Sequence, residues 1–189
     1  MVVSNDLDFQ QVYDTYQPRI LRYLVRMMGT ETGEDLTQEV FLRASQNLSN
    51  FRGQAQLSTW LYRIASNAAI DKIRSASFRH GTNEVNLVDL ENVNLVDHKA
   101  CEPWNGDTPA PIEQTLLEKD RLHCFLNYVK ELPVNYKIIL MLSEVEALTI
   151  REIADVLGLS QETVKIRLHR GRVRLFQALK ENCKPEEWL

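Results

Sequence analysis

Long apolar runs are absent from this sequence of 189 residues, and cysteines are few. No stretch approaches the roughly 18 consecutive apolar residues of a membrane helix, so we predict no direct membrane insertion. The N-terminal residues lack the basic segment and apolar run of a secretory signal, so we expect none. The three cysteines, Cys101, Cys124 and Cys183, have no regular spacing, which favours a reducing, cytoplasmic setting over a disulfide framework.

Motifs of catalysis are also missing. The sequence contains no P-loop, no G-x-G-x-x-G fingerprint, no H-E-x-x-H motif and no G-x-S-x-G nucleophile elbow. We therefore expect no catalytic residue and no cofactor. His98 and Cys101 have ligand-like spacing and His123 adjoins Cys124, which leaves a zinc or thiol sensor open as an alternative. Such residues are more often plain structure, and we predict no metal site.

Negative charge is concentrated in the middle of the chain. The sequence carries a formal net charge of −4, and residues 79–115 alone contain seven acids and two bases. This part of the chain also contains prolines and glycines and lacks a sustained hydrophobic period, which is typical of a linker. We predict a flexible acidic linker over residues 79–112, between an N-terminal domain (residues 1–78) and a C-terminal domain (residues 113–189).

The N-terminal part has helical periodicity. Over residues 9–28 apolar side chains recur every three or four positions, as in an amphipathic helix. The letters GTETGED then interrupt the pattern, and a second helix is predicted to start near Leu36, with Glu34 and Asp35 in its first turn. After a polar loop, a third helix is predicted from residue 57 to about residue 76.

The sequence signals in the C-terminal part predict shorter helices. One helix is expected to end near Lys130, and Pro133 suits the start of the next one. Thr149 and Glu152 form the T-x-x-E pattern of a capping box, and Gly158 supplies a stop signal. No convincing strand pattern occurs, so the predicted fold class is all-α, with two small helical domains.

Cations cluster on one short segment, GLSQETVKIRLHRGRVRL, at residues 158–175. A short glycine-containing turn before a basic helix describes a helix-turn-helix, whose second helix lies in the DNA major groove. Ser160 is a good N-cap for that helix. Its apolar stripe consists of Val164, Leu168, Gly171, Leu175 and Leu179. The predicted DNA contacts are Glu162, Thr163, Lys165, Ile166, Arg167, His169, Arg170, Arg172 and Arg174. The alternative is a solvated surface helix.

A second candidate surface lies on the third predicted helix and its adjoining loop. An aromatic ring, a cation and an amide can stack on, neutralise and hydrogen-bond an unstacked base. The alternative is structural, with Trp60 half-buried in packing and Arg63 paired with Asp71 or Asn67. The helical members, which we call the Trp60 face, are Trp60, Arg63, Asn67, Asp71 and Arg74, and the loop adds Phe51 and Arg52.

Two long motifs resemble one protein family. The run LPVNYKIILMLSEVEALTIREIADVLGLSQETVKIRLHRGRVRL resembles the promoter-binding C-terminal domain of extracytoplasmic-function (ECF) sigma factors. The run EDLTQEVFLRASQNLSNFRGQAQLSTWLYRIASNAAIDKIR is similar to the N-terminal domain of that family. The resemblance covers residues 9–78 and 112–180, which is most of the chain outside the linker and the tails.

The resemblance implies an alternative sigma factor that binds bacterial RNA polymerase core and starts transcription at specific promoters. In that family the C-terminal helix-turn-helix recognises the upstream promoter element, and the N-terminal domain recognises and opens the downstream one, here through the Trp60 face, Phe51 and Arg52. The segment matching residues 35–42 docks on the clamp helices of the largest polymerase subunit. The implied core-binding residues are Asp35, Gln38, Glu39 and Phe41, and the alternative is a solvated acidic face with Phe41 in the core.

Two further expectations concern partners. The resemblance implies control by an anti-sigma factor, and it leaves open whether the linker follows the polymerase active-site cleft or is an inert tether. The rival hypothesis is a helix-turn-helix regulator that binds promoter DNA without polymerase. Binding to core polymerase discriminates between these two classes.

Overall fold

A computed structural model of the protein describes residues 8–51, 53, 56–80 and 124–182. Within those ranges the chain forms helices and short connections and no strand, so the predicted all-α class is confirmed. The N-terminal helices are α1 (Phe9–Met28), α2 (Thr30–Asn47) and α3 (Leu57–His80), with a 3₁₀ turn at Leu48–Asn50. The C-terminal helices are α4 (residues 124–131), α5 (Val134–Leu140), α6 (Ile150–Leu157) and α7 (Gln161–Asn182), with one π-helical turn at Met141–Val145. Each helix in the described ranges is too short or too polar to cross a membrane.

The predicted start of the second helix is wrong. Helix α2 begins at Thr30, directly after Gly29, whose φ of 87° ends α1. Gly33, which weakens the helical pattern in the sequence, lies inside α2 where that helix crosses α1. A Cβ atom on Gly33 would lie 2.7 Å from the Cα of Val25, so only glycine allows the two backbones this close. Glu31, rather than Glu34 or Asp35, is therefore the acid in the first turn.

Helix α3 packs its apolar side on α1 and α2. Leu61, Ala65 and Ala68 are buried, and the buried hydroxyls of Tyr23 and Ser66 form a 2.9 Å hydrogen bond. The helix continues to His80, four residues past its predicted end and into the predicted linker. The rest of that linker, residues 81–112, lies outside the described residues.

The C-terminal helices follow the local signals closely. Thr149 and Glu152 form both hydrogen bonds of a capping box at the start of α6, and Gly158 ends it in the left-handed conformation, with φ of 64°. The hydroxyl of Ser160 accepts a 3.1 Å hydrogen bond from the backbone N–H of Thr163, which caps α7 as predicted. Residues 124–131 are helical, in agreement with the predicted helix up to residue 130.

Buried side chains of the N-terminal and C-terminal helices join in one apolar cluster. Helix α3 is the link, because it contacts α1 and α2 on one side and α6 on another. The division of the chain into domains at residues 78 and 113 stays a prediction, since the described residues end at 80 and resume at 124. The structure shows direct packing between α3, which precedes the predicted linker, and α6, which follows it.

The crossing of α1 and α2 makes a prediction about Gly33. We expect Gly33→Ala to lower the free energy of unfolding by about 1–3 kcal/mol, because the added methyl group overlaps the backbone of Val25. Gln46→Ala, at an exposed position of the same helix, is the control and should change it by less than about 0.5 kcal/mol. Urea denaturation followed by circular dichroism measures both. Equal stability of the two variants would contradict the close contact.

Candidate nucleic-acid interface

The apolar stripe of α7 anchors the helix on the C-terminal core. Val164, Leu168 and Leu175 are buried, and α7 packs on α5 as well as on α6. Gly171 marks the closest approach, since a Cβ atom there would lie 3.2 Å from Leu140 Cδ1 and 3.4 Å from Tyr136 Cβ. Packing therefore fixes which side of α7 faces outwards.

The outward side of α7 carries most of the predicted DNA contacts. Ile166 is 43% exposed, which is unusual for a large apolar side chain and suits contact with a base edge or methyl group. Arg170 is half-buried, and the hydroxyl of Thr163 lies 2.8 Å from that of Ser160, so these two contribute less to the open surface. The exposed members are Glu162, Lys165, Ile166, His169, Arg172 and Arg174.

Three cations of α7 already have partners. Lys165 Nζ lies 3.8 Å from Glu162 Oε2, on the same helix. Two nitrogens of the Arg172 guanidinium donate to Glu144 Oε1, at 2.6 and 3.0 Å. The Arg174 guanidinium stacks on the Tyr136 ring at 4.9 Å from its centroid. Glu144 and Tyr136 belong to other elements, so they orient these arginines relative to the whole C-terminal core.

Arg167 departs from the predicted pattern, because it is only 6% exposed. Burial lowers the pKa of its guanidinium. The side chain lines a cavity of about 450 Å³ between the N-terminal and C-terminal helices. In this arrangement Arg167 is not open to a DNA duplex, and its predicted contact requires that cavity to open.

The Trp60 face lies on α3, as predicted. Arg63, Asn67, Asp71 and Arg74 are exposed, whereas Trp60 is half-buried against the core. This burial of Trp60 agrees with the structural alternative that the sequence left open. The Phe51 ring packs beside Trp60, with centroids 5.4 Å apart, so the structure brings the two predicted aromatic residues together. Arg52 lies outside the described residues.

The cavity brings the two predicted DNA surfaces together. Its wall on the N-terminal side is formed by Arg43 of α2 and by Asn67, Ile70, Asp71 and Arg74 of α3. Opposite them lie Asn135, Ile138, Leu157, Leu159 and Arg167. Sequence reasoning missed this juxtaposition, because periodicity within a helix gives no information on which distant helix faces it.

A third exposed surface lies on α2. Asp35 and Gln38 are exposed, and Glu39, which pairs with Arg43, is half-buried. Phe41 is different, since it is 3% exposed and packs edge-on against Tyr13 at 4.9 Å between ring centroids. Its burial favours the alternative in which Phe41 belongs to the core.

Leu42 is the residue that sequence reasoning missed on this surface. It is 60% exposed and follows Asp35, Gln38 and Glu39 by seven, four and three positions, so it lies on the same side of α2. Leu42 ends the segment of residues 35–42 that the resemblance assigns to core binding, but it is not among the contacts predicted from it. We call Asp35, Gln38, Glu39 and Leu42 the α2 outer face.

The described residues give little support for a metal site. They contain no group of three or more His, Cys, Asp or Glu side chains placed to hold a metal ion. Cys124 is half-buried on α4. The other sensor candidates, His98, Cys101, His123 and Cys183, lie outside the described residues.

Comparison with known sequences gives two family matches, in the order that the two motifs predict. Residues 12–79 match Sigma-70 region 2, and residues 122–175 match Sigma-70 region 4. The chain is 29% identical to the ECF RNA polymerase sigma factor SigW of Bacillus subtilis over 185 residues, covering 95% of this chain and 94% of the relative. It is 32% identical to the RNA polymerase sigma-H factor of Pseudomonas aeruginosa over 165 residues, covering 87% of this chain and 82% of the relative.

Solved structures show the same fold. The sigma factor RpoE of Bartonella quintana, determined in complex with the anti-sigma factor NepR, matches with a TM-score of 0.65 at 19% identity, over 93% of this chain and 98% of RpoE. CnrH, determined with the cytosolic domain of CnrY, matches with a TM-score of 0.61 at 20% identity, over 92% of this chain and 88% of CnrH. With both family matches, the identity to sigma-H and a shared helical fold, this chain belongs to the ECF sigma factors of bacterial RNA polymerase.

Proposed function

We propose that this chain acts in the cytoplasm as an alternative sigma factor, which binds RNA polymerase core and directs it to a specific set of promoters. The observation that carries the proposal is the pairing, in one chain, of two surfaces. One is a capped helix-turn-helix with an exposed basic side, and the other is an exposed polar face on the N-terminal helices, beside two half-buried aromatic rings. A regulator that works by DNA binding alone has no use for the second surface. Family membership supports the same function.

Upstream promoter recognition is assigned to α7. Its N-terminal half presents Glu162, Lys165, Ile166 and His169 outwards, in the part of a recognition helix that meets base edges. Arg172 and Arg174, held by Glu144 and Tyr136, lie further along the helix and suit phosphate oxygens. Phosphate contacts fix the position of the helix, and base contacts give specificity.

Downstream promoter opening is assigned to the Trp60 face. Phe51 and Trp60 provide adjacent aromatic surfaces on which an unpaired base can stack. Arg63 and Asn67, one and two turns further along α3, add a cation for phosphate and an amide for a base edge. Strand separation is then driven by binding to the exposed single strand, without a hydrolytic energy source.

Core binding is assigned to the α2 outer face. Asp35, Gln38 and Glu39 lie on the same side of α2 as the exposed Leu42, which combines an apolar side chain with polar neighbours. Such a composition is typical of protein interfaces. In the proposed complex this face docks on the clamp helices of the largest polymerase subunit, and Leu42 takes the apolar role that the sequence assigned to Phe41.

Control by an anti-sigma factor completes the proposal. Two solved structures that share this fold contain partner proteins, the anti-sigma factor NepR with RpoE and the cytosolic domain of CnrY with CnrH. An anti-sigma factor acting on this chain would cover the α2 outer face or the DNA surfaces of α3 and α7.

The proposal is tested by binding and run-off transcription with bacterial core polymerase on a library of promoter fragments. We expect the chain to bind core and to start transcription from a subset of the fragments, which also defines the recognised sequence. Core polymerase without the chain is the control. DNA binding without core binding would reject the sigma factor and leave a stand-alone regulator.

Leu42 provides a test of the core-binding surface. We expect Leu42→Ala to weaken core binding about tenfold, because an exposed leucine that becomes buried at an interface contributes on the order of 1.5–3 kcal/mol. Stability of the free chain should not change, since Leu42 is 60% exposed. Gln11→Ala, at an exposed position of α1, is the control. Unchanged affinity of Leu42→Ala in fluorescence anisotropy titrations would place the core-binding surface elsewhere.

Lys165 provides a test of the DNA surface. Its side chain is 57% exposed, and we expect Lys165→Ala to lower the slope of log K against log salt by about 0.9 if this ammonium group neutralises one phosphate. Lys130→Ala removes an exposed cation from α4 and should leave the slope unchanged. Holoenzyme binding to a selected promoter, measured over a range of salt concentrations, gives both slopes. Equal slopes for the two variants would remove Lys165 from the DNA contact.

A further inference from the structure

A buried carboxylate joins the N-terminal helices to the C-terminal helices. Glu146 follows the π-helical turn, and its side chain is only 8% exposed. The hydroxyl of Tyr62, on α3, donates a hydrogen bond to Glu146 Oε2, and the Arg26 guanidinium, on α1, lies 3.9 Å from Oε1. Both partners therefore belong to the N-terminal helices, whereas Glu146 belongs to the C-terminal part of the chain.

The loop that carries Glu146 is held in position by its own backbone. The N–H of Glu146 donates to Met141 O at 3.1 Å, and the N–H of Leu148 donates to Leu142 O at 2.9 Å. Between them, Ala147 has a φ of 54°, a left-handed conformation that is uncommon for any residue but glycine. The C-terminal core thus presents Glu146 in a fixed direction, towards α1 and α3.

The side chain of Tyr62 is also held in a fixed position at this contact. It is 1% exposed, and its ring packs edge-on against Tyr23 at 5.4 Å between centroids. Burial, and then Glu146, raise the pKa of the Tyr62 hydroxyl, so the group stays protonated and remains a donor. A buried carboxylate is costly unless it is paired, so Glu146 favours this arrangement only while Tyr62 and Arg26 satisfy it.

We propose that Glu146, with Tyr62 and Arg26, forms an intramolecular latch that holds the free chain closed. In the closed state the cavity of about 450 Å³ separates Asn67, Asp71 and Arg74 from the buried Arg167. No DNA duplex fits into this space, because the major groove of a duplex by itself accommodates a whole α-helix. Release of the latch exposes Arg167 and lets the two DNA surfaces separate. This last step rests on the proposed function, whereas the latch itself does not.

Small-angle X-ray scattering of the full chain, without polymerase or DNA, tests the latch. Glu146→Lys removes the acceptor and puts a second cation beside Arg26, so we expect a mostly open chain with a larger radius of gyration. Tyr62→Phe leaves the carboxylate short of a partner, and we expect the ratio of open to closed chains to rise about tenfold. Glu146→Gln keeps an oxygen acceptor for Tyr62 and loses only the ion pair with Arg26, so its radius of gyration should lie closer to that of the wild type than to that of Glu146→Lys.

Tyr23→Phe is the matched control, because it removes another buried tyrosine hydroxyl. That hydroxyl bonds Ser66 rather than Glu146, and phenylalanine keeps the ring that packs on Tyr62, so the radius of gyration should not change. Circular dichroism verifies the helix content of each variant, and Tyr62→Phe decides if Glu146→Lys does not fold. A Glu146→Lys chain that is folded and as compact as the wild type, or a wild type that is already extended, would overturn the proposal. Failure of run-off transcription would leave the scattering result unaffected.

Discussion

Burial of α3 on two sides is the constraint on which the rest of the structure depends. Leu61, Ala65 and Ala68 face α1 and α2, while other positions of the same helix meet α6 and the loop of Glu146. A helix packed on two sides retains only a narrow strip for solvent. Arg63, Asn67, Asp71 and Arg74 of the Trp60 face lie on that strip, so the polar residues to which we assign promoter opening do not disturb the core.

Local features of the fold were predictable from the sequence, because their causes are local. The capping box at Thr149, the left-handed stop at Gly158 and the N-cap at Ser160 depend on neighbouring residues only, and all three formed as expected. The start of α2 was predicted wrongly because the role of Gly33 depends on its packing against another helix, α1. A glycine that breaks a helix and one that permits a close helix crossing look the same in a sequence, and only the backbone of Val25 distinguishes them.

For the candidate surfaces, too, the predictions succeed where the cause is local and fail where it is tertiary packing. Periodicity places Arg167 beside the apolar stripe of α7, and resemblance places Phe41 among polymerase contacts, yet both are buried by elements distant in sequence. Leu42 is the opposite case, an apolar residue that is exposed. It lies next to the buried Phe41 but is 60% exposed, because no other described residue covers it. Helical phase predicts which residues share a side, but the burial of that side is decided by tertiary packing.

In the proposed function, Glu144 and Tyr136 hold two arginines of α7 in position for DNA. Glu144 orients Arg172 through two hydrogen bonds, and Tyr136 orients Arg174 by stacking, so these cations are ordered before DNA arrives. Ordering in advance lowers the entropy cost of binding, whereas a neighbouring carboxylate competes with phosphate for the same guanidinium. The balance favours DNA only where a dense array of phosphates outcompetes Glu144. Because every duplex carries the same phosphate spacing, this competition weakens all DNA binding by α7 alike, and in the proposed function the choice among promoters is left to the base contacts of Glu162, Lys165, Ile166 and His169.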